Sequence, residues 1–262
     1  VVEEHKAWQE RRMEVYAAQV SIMDEGIGQV MDALKRTDRF KNTLVFFTID
    51  NGGCHVEYGK NRKGDYLPEK TRDDRPMKPG NIPDLMPGPE VTYQSYGHGW
   101  ANASNTPYRF FKQYDHEGGI HTPMIAHWPD GIQSRGGIVK SLSHLIDLMP
   151  TVLEVSGTKL AGESGDGPRI ELDGLSFKPT FSGGKQPGHE SLFFNHAKGQ
   201  AIRHGKWKQV RVKQGKKKLW ELYNLEIDPN ELNDLATRNP AKTRELASRW
   251  ESWEKELLAK AR

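Results

Sequence analysis

The stretch "NTLVFFTIDNGG" (residues 42–53) decides the fold class. From Thr43 to Ile49 every residue is apolar or β-branched, and the run then stops on Asp50, Asn51, Gly52 and Gly53. Because the apolar residues do not alternate with polar ones, both faces of this strand are expected to be covered, as in a parallel α/β sheet. In open α/β sheets ligands bind beyond the carboxyl ends of the strands. Asp50 and Asn51 stand at such an end. They present a carboxylate and an amide oxygen, hard donors suited to Ca²⁺, with Mg²⁺ as the alternative. The two glycines are expected to let the chain turn sharply and to leave room for a substrate. An Asp-Asn-Gly sequence is equally an ordinary turn, and spacing alone leaves both readings open.

Outward from this strand the pattern is that of an α/β chain. On the amino-terminal side, residues 6–36 place Tyr16, Val20, Met23, Ile27, Val30 and Leu34 three and four apart, which predicts one long amphipathic helix. On the other side, residues 54–106 are rich in Pro, Gly, Asp and Lys; an irregular stretch this long is usually functional or disordered, and the aromatics and "WANASNTPYRF" near its end favour an ordered, site-lining loop. A second short strand is expected in "TPMIAHW" (122–128). A helix follows in "SLSHLIDLMPTVLEVSG" (141–157), with Leu142, Leu145, Leu148 and Met149 inward, a break at Pro150 and a cap at Gly157. Beyond a Gly-rich linker (161–168), "SLFFNH", "QAIRHG", "KWKQVRV" and "KLWELYNL" read as short strands of an antiparallel sheet. Residues 240–259 close the chain as a helix with Leu246, Trp250, Trp253 and Leu257 on one face. The expected organisation is a sheet flanked by helices over residues 1–185, then a small α+β subdomain over 186–262 with the antiparallel sheet and the C-terminal helix.

Composition narrows the function classes. The chain has 262 residues, 35% of them hydrophobic, and a net charge of +3, with a mean hydropathy of −0.78. No run approaches the roughly eighteen apolar residues of a membrane span. The single cysteine, Cys54, excludes an internal disulfide. The basic excess is local, in "KQVRVKQGKKK" (208–218). This run leaves open a non-catalytic module that holds an acidic polymer, although clustered lysines on a hairpin are usually a solvated face, and no nucleic acid partner is expected. The start "VVEEHKAWQERRMEVY" has no initiator Met, signal peptide or helix cap, and reads as the interior of a longer sequence.

The order of motifs carries more than any one of them. "TIDNGG", "KQYDHEGGIHTP" and "HWPDG" follow one another, and "LIDLMPTVLEVSG", "LDGLSF", "AIRHGKWKQV" and "LYNLEIDPNELNDLA" come after. In this the chain resembles the type I, arylsulfatase-like sulfatases of the alkaline-phosphatase-like superfamily. The resemblance is to their carboxy-terminal half and runs over nearly the whole chain. It implies hydrolysis of sulfate esters, of a sulfated small molecule or glycan. It implies that Asp50 and Asn51 are two ligands of a Ca²⁺, and that Lys112 contacts the sulfate ester and steadies the leaving oxygen. The formylglycine nucleophile of the family arises from Cys or Ser in a Cys-x-Pro-x-Arg motif. That motif does not occur here; it is expected upstream, so this chain alone is expected to be inactive and Cys54 to be incidental. A phospho- or phosphonate-ester hydrolase of the same superfamily is the alternative. His98 and His196 are weaker candidates for touching substrate, and Arg109 is expected to pair with an acid. His121 stands where many relatives have Arg, a position expected to pack behind the site. A periplasmic or secreted location follows from the resemblance alone, and oligomeric state is not legible.

Overall fold

A computed structural model describes residues 5–160, 171–196, 199–214 and 217–260. The expected linker at 161–168 lies outside the described residues. The first helix, α1 (Lys6–Arg36), forms as its periodicity predicts. Its first turns are pinned by the long loop. Trp8 Nε1 donates to Gln94 at 3.0 Å, the Arg12 guanidinium lies over the Trp8 ring and donates to the Ser95 carbonyl, and Tyr16 stacks on Tyr96 at 4.7 Å. Beyond Tyr16 the apolar stripe stands in solvent, with Val20, Met23 and Val30 all exposed.

The decisive strand, β1 (Val45–Thr48), pairs with β4 (Met124–His127), and the pairing is antiparallel, Phe46 opposite Ala126. This corrects the expectation of a parallel neighbour with both faces covered. Phe46 leans toward Phe177 at 6.5 Å, while Phe47, Ile49 and Ile125 are exposed. An unbroken apolar run reports a tendency to be buried; it carries no information on the direction of the partner strand.

Between these strands lie a two-residue parallel pair, β2 (Lys78–Pro79) with β3 (Thr92–Tyr93), the helix α2 (Gly97–Ser104) and the single turn α3 (Glu117–Ile120). A 3₁₀ turn at Leu145–Asp147 runs into α4 (Leu148–Ser156), with Pro150 in the first turn and Gly157 ending it at φ 67°. Leu145 and Met149 point outward, against expectation. Asp147 and Thr151 set the phase of this helix instead. The buried Asp147 carboxylate accepts the backbone N–H of His144 and Leu175 at 2.8 and 2.7 Å and meets His189 Nε2 at 2.7 Å, and the Thr151 hydroxyl accepts the Phe177 N–H at 2.8 Å. Buried polar groups must find partners, and that demand outweighs exposing two apolar side chains.

After α5 (Lys178–Phe181) the chain forms the expected antiparallel meander: β5 (Ser191–His196), β6 (Gly199–His204), β7 (Trp207–Gln214) and β8 (Lys217–Asn224), in that spatial order. The closing helix α6 (Pro240–Lys260) lays Leu246 and Trp250 onto Ile202 and Leu222, all four essentially inaccessible. Trp253 stacks on Phe193 at 5.0 Å, and Leu257, expected on the same face, is exposed. No described helix is long and apolar enough to cross a membrane.

Candidate functional site

The carboxyl end of β1 is laced to the segment that carries Lys112 and α3. Gly52 N–H donates to the Gly119 carbonyl at 3.0 Å, and Lys112 N–H donates to the Gly53 carbonyl at 3.0 Å. Asn105 clamps the same corner: its Oδ1 accepts Gly53 N–H at 2.9 Å and its Nδ2 donates to the Phe110 carbonyl at 2.9 Å. A Cβ on Gly52 would overlap the Gly118 carbonyl oxygen, and one on Gly53 would overlap the Tyr96 hydroxyl. Neither glycine has a positive φ. The structural need for glycine is therefore the close approach of a second backbone at Gly52 and of the Tyr96 hydroxyl at Gly53.

Asp50 is exposed, and among the described residues its carboxylate makes no hydrogen bond or ion pair. Asn51 is half-buried and its Nδ2 donates to the Gly52 carbonyl at 2.8 Å, which leaves Oδ1 as a free acceptor. Two adjacent hard oxygens fit part of a Ca²⁺ shell, which takes six to eight. Among the described residues, no group of three or more His, Cys, Asp or Glu is arranged to hold a metal. Lys112 is half-buried, with its backbone tied to Gly53 and its ammonium in no ion pair among the described residues.

His98 sits at the start of α2, its backbone N–H held by Glu57 at 3.0 Å. Its ring meets Phe111, the residue before Lys112, edge-on at 4.7 Å. On the same phenyl ring lies His55, stacked at 4.2 Å. Burial, and then the neighbouring His98, hold the His55 imidazole below its ordinary range. Sequence reasoning passed over His55, whose only signal is its place two residues after Gly53. His196 ends β5 exposed, near the buried Asp115, whose carboxyl is pushed up by burial against the opposing charges of Lys208, His196 and His116. The structure thus brings His98 and His196 to the segment around Lys112, and no hydrogen bond joins either to Asp50 or Asn51.

Behind α3 lies a network that sequence reasoning missed. Lys208, read as one of a solvated cluster, is fully buried. Its Nζ is 2.7 Å from Glu117 Oε1 and 3.0 Å from Glu231 Oε1, both carboxylates also buried. Glu231 accepts the Glu117 backbone N–H at 2.6 Å, and His121 holds the other oxygen of Glu117 at 2.7 Å while stacking on Tyr108. Burial alone would raise the Glu117 carboxyl. The Lys208 charge, with hydrogen bonds from His121 and Lys208, outweighs it and brings the pKa to about 2. Arg109 pairs as expected: it donates to the Tyr223 hydroxyl at 2.9 Å and lies 3.6 Å from the Glu221 carboxylate. Glu221 also meets His116 Nε2 at 3.0 Å. The four-stranded sheet therefore grips the Glu117-Gly118-Gly119 turn through buried charge, and that turn in turn grips Gly52.

Known proteins share this architecture. Residues 2–158 match the sulfatase family model, and residues 107–256 match that of the C-terminal part of N-sulphoglucosamine sulphohydrolase. The chain is 33% identical over 272 residues to an uncharacterized sulfatase of Schizosaccharomyces pombe, a match covering 97% of this chain and 45% of that protein. It is 33% identical over 174 residues to an arylsulfatase of Klebsiella aerogenes, covering 66% and 35%. Among solved structures, Ps i-CgsB in complex with k-i-k-neocarrahexaose superposes with a TM-score of 0.60 at 25% identity, over 91% of this chain and 42% of the other. A protein in complex with its substrate D-glucosamine-2-N,6-O-disulfate superposes at 0.58 and 18% identity, over 92% and 40%, a likeness of fold. The chain spans less than half the length of each of these proteins. With a sulfatase model matching more than half of it and the alkaline-phosphatase-like fold shared with solved sulfatases, this chain belongs to the sulfatase family.

Proposed function

We propose that this chain forms the carboxy-terminal half of a sulfatase that hydrolyses the sulfate ester of a small molecule or a glycan. The observation that carries the reading is the lacing of the Asp50-Asn51 strand end to Lys112 and Gly119 by two 3.0 Å backbone hydrogen bonds. It ties the backbone of Lys112 and of Gly119 to the strand end, which supports the reading that the Asp50 and Asn51 oxygens and the Lys112 ammonium serve one site. Asp50 and Asn51 would hold Ca²⁺, which when bound supplies positive charge to hold a sulfate. One acid and one neutral donor suit that role, since the ester brings a negative charge of its own and a second carboxylate at residue 51 would repel it. Lys112 would donate to the leaving oxygen, where charge develops as the S–O bond breaks. The formylglycine nucleophile, in this reading, lies outside residues 1–262.

A glycan as substrate is supported by the likeness to Ps i-CgsB, which is in complex with k-i-k-neocarrahexaose. The burial of Lys208 weighs against the polyanion-binding module, because the first lysine of the basic run is spent inside the protein. The test is turnover of an aryl sulfate by the 262-residue chain and by the longer protein that contains it. The chain alone is expected to be inactive and the longer protein active. Turnover by the chain alone that survives Cys54→Ala would overturn the placement of the nucleophile.

A further inference from the structure

We propose that the groove between residues 60–61 and 77–85, with the tyrosine cluster beside it, is a second binding site, for a sulfated sugar unit of a glycan whose scissile ester lies at Lys112. The inference rests on the sulfatase reading for the identity of that ester. The groove is an open depression of about 330 Å³, lined by the polar residues Lys60, Asn61 and Lys78 and the apolar residues Met77, Ile82 and Leu85. That volume is at the lower end of ligand sites, which run from roughly 300 to 1,000 Å³. Its walls are fixed by the backbone. Asn61 N–H donates to the Pro79 carbonyl at 2.9 Å, Lys78 N–H to the Val91 carbonyl at 2.7 Å and Gly80 N–H to the Tyr93 carbonyl at 2.9 Å. Asn61 is held in the left-handed region at φ 60°.

Two of the loop's cations are neutralised nearby. Arg75 pairs with Asp73 and Glu90, and Lys70 with Asp74. The ammonium groups of Lys60 and Lys78 have no carboxylate within ion-pair distance among the described residues, so two of the loop's unneutralised cations stand at the groove. Asp84, which also lines the groove, is an acceptor for sugar hydroxyls. Beside the groove Tyr58 stacks on Tyr93 at 5.5 Å, and the Arg62 guanidinium covers Tyr58 at 4.3 Å while donating to the Tyr66 hydroxyl at 3.0 and 3.1 Å. Tyr66 itself is 61% exposed. An aromatic body held by its hydroxyl and open to water offers an apolar face for the C–H side of a sugar ring. Cations for sulfate, hydroxyl acceptors and apolar surface together are the recognition set of a sulfated sugar. Tyr58 is three residues from His55, hence within about 11 Å of it along the chain, so one glycan can reach both places.

The experiment titrates a fluorescent, heparin-derived sulfated hexasaccharide against the 262-residue chain, with the desulfated hexasaccharide and a single-stranded oligonucleotide of equal charge as the other two probes. Lys60→Gln with Lys78→Gln is expected to weaken binding of the sulfated probe about five- to tenfold, from two partly exposed ion pairs. Tyr66→Ala is expected to weaken it severalfold, and the desulfated probe to bind more weakly than either variant binds the sulfated one. Lys60, Tyr66 and Lys78 are exposed, and an unchanged circular dichroism spectrum is required of each variant. Equal binding of the sulfated probe by the double variant overturns the proposal, as does equal affinity for the oligonucleotide, which would mark a general polyanion patch, or no binding at all. Lys112→Ala in the same titration separates the two readings. Loss with Lys112→Ala but not with the double variant leaves the catalytic corner standing and removes the groove; the reverse keeps the groove and removes Lys112.

Discussion

Replacing Lys208 by methionine removes the cation between Glu117 and Glu231 and keeps the length of the side chain. The consequence follows from burial. Lys208 and Glu231 are fully inaccessible and Glu117 nearly so, with ion-pair distances of 2.7 and 3.0 Å. Breaking a buried pair by deleting one partner typically costs about 3–5 kcal/mol, because the remaining charge is left without compensation. The Glu117 carboxyl gives an independent figure. Lowered from 4.5 to about 2, it contributes on the order of 3 kcal/mol, at 1.36 kcal/mol per pKa unit. The sign is that of a depressed acid. This stability is present above pH 4.5 and is lost as pH falls toward 2. In Lys208→Met burial is left to raise the Glu117 carboxyl, so the variant suffers most at neutral pH and least where the carboxylates are protonated. Urea unfolding at pH 7 should therefore show a deficit of about 3–5 kcal/mol that shrinks by pH 3. Adding Glu117→Gln and Glu231→Gln should recover more than half of the loss, since no buried charge then stands alone. A deficit under about 1 kcal/mol at pH 7, or one that widens in acid, would refute the account of the network.

Three further outcomes are expected. Gly52→Ala drives a methyl group into the Gly118 carbonyl oxygen, backbone against backbone; it should destabilise by about 1–3 kcal/mol, read by thermal unfolding, and weaken calcium binding with it. Lys112→Ala in the longer sulfatase should lower kcat about 10²–10³-fold with the melting temperature unchanged, the loss expected when one donor to a developing anion is removed; a kcat within about threefold of the unaltered protein would make the lysine a surface residue. Trp250→Ala opens the core formed with Ile202, Leu222 and Leu246, and should cost about 3–5 kcal/mol in denaturant unfolding.

Some of this was legible in the sequence for definite reasons. The antiparallel meander and the closing helix could be read because strand alternation, turn residues and the stripe of Leu246, Trp250 and Trp253 agree, Leu257 alone falling outside it. That the strand end at residues 50–53 meets the Lys112 segment agrees with the order of the motifs; the roles proposed for Asp50, Asn51 and Lys112 rest on the resemblance, since nothing in residues 42–53 alone separates a ligand corner from a turn. The direction of β1 against β4 could not be read, since an apolar run is silent about its neighbour. Lys208 misled because a lysine inside a basic run looks solvated; what buries it is a pair of carboxylates 91 and 23 residues away in the chain. Leu145 and Met149 misled for the converse reason, as the hydrogen-bond needs of Asp147 and Thr151 set the helix phase. At Gly52 the structure needs glycine so that two backbones can touch, and at Gly53 so that the Tyr96 hydroxyl can lie against the chain.

The central claim is that β1 ends in Asp50 and Asn51 to deliver oxygens to a cation at a sulfate-ester site. Calcium titration calorimetry of the longer sulfatase, unaltered and with Asp50→Ala or Asn51→Ala, run beside sulfate-ester kinetics, tests it most directly. Asp50→Ala is expected to abolish tight calcium binding and turnover together, and Asn51→Ala to weaken both; the 262-residue chain should bind calcium only weakly, with two of the six to eight oxygens that the ion takes. Undiminished calcium affinity in Asp50→Ala would contradict the claim and make the corner a plain turn.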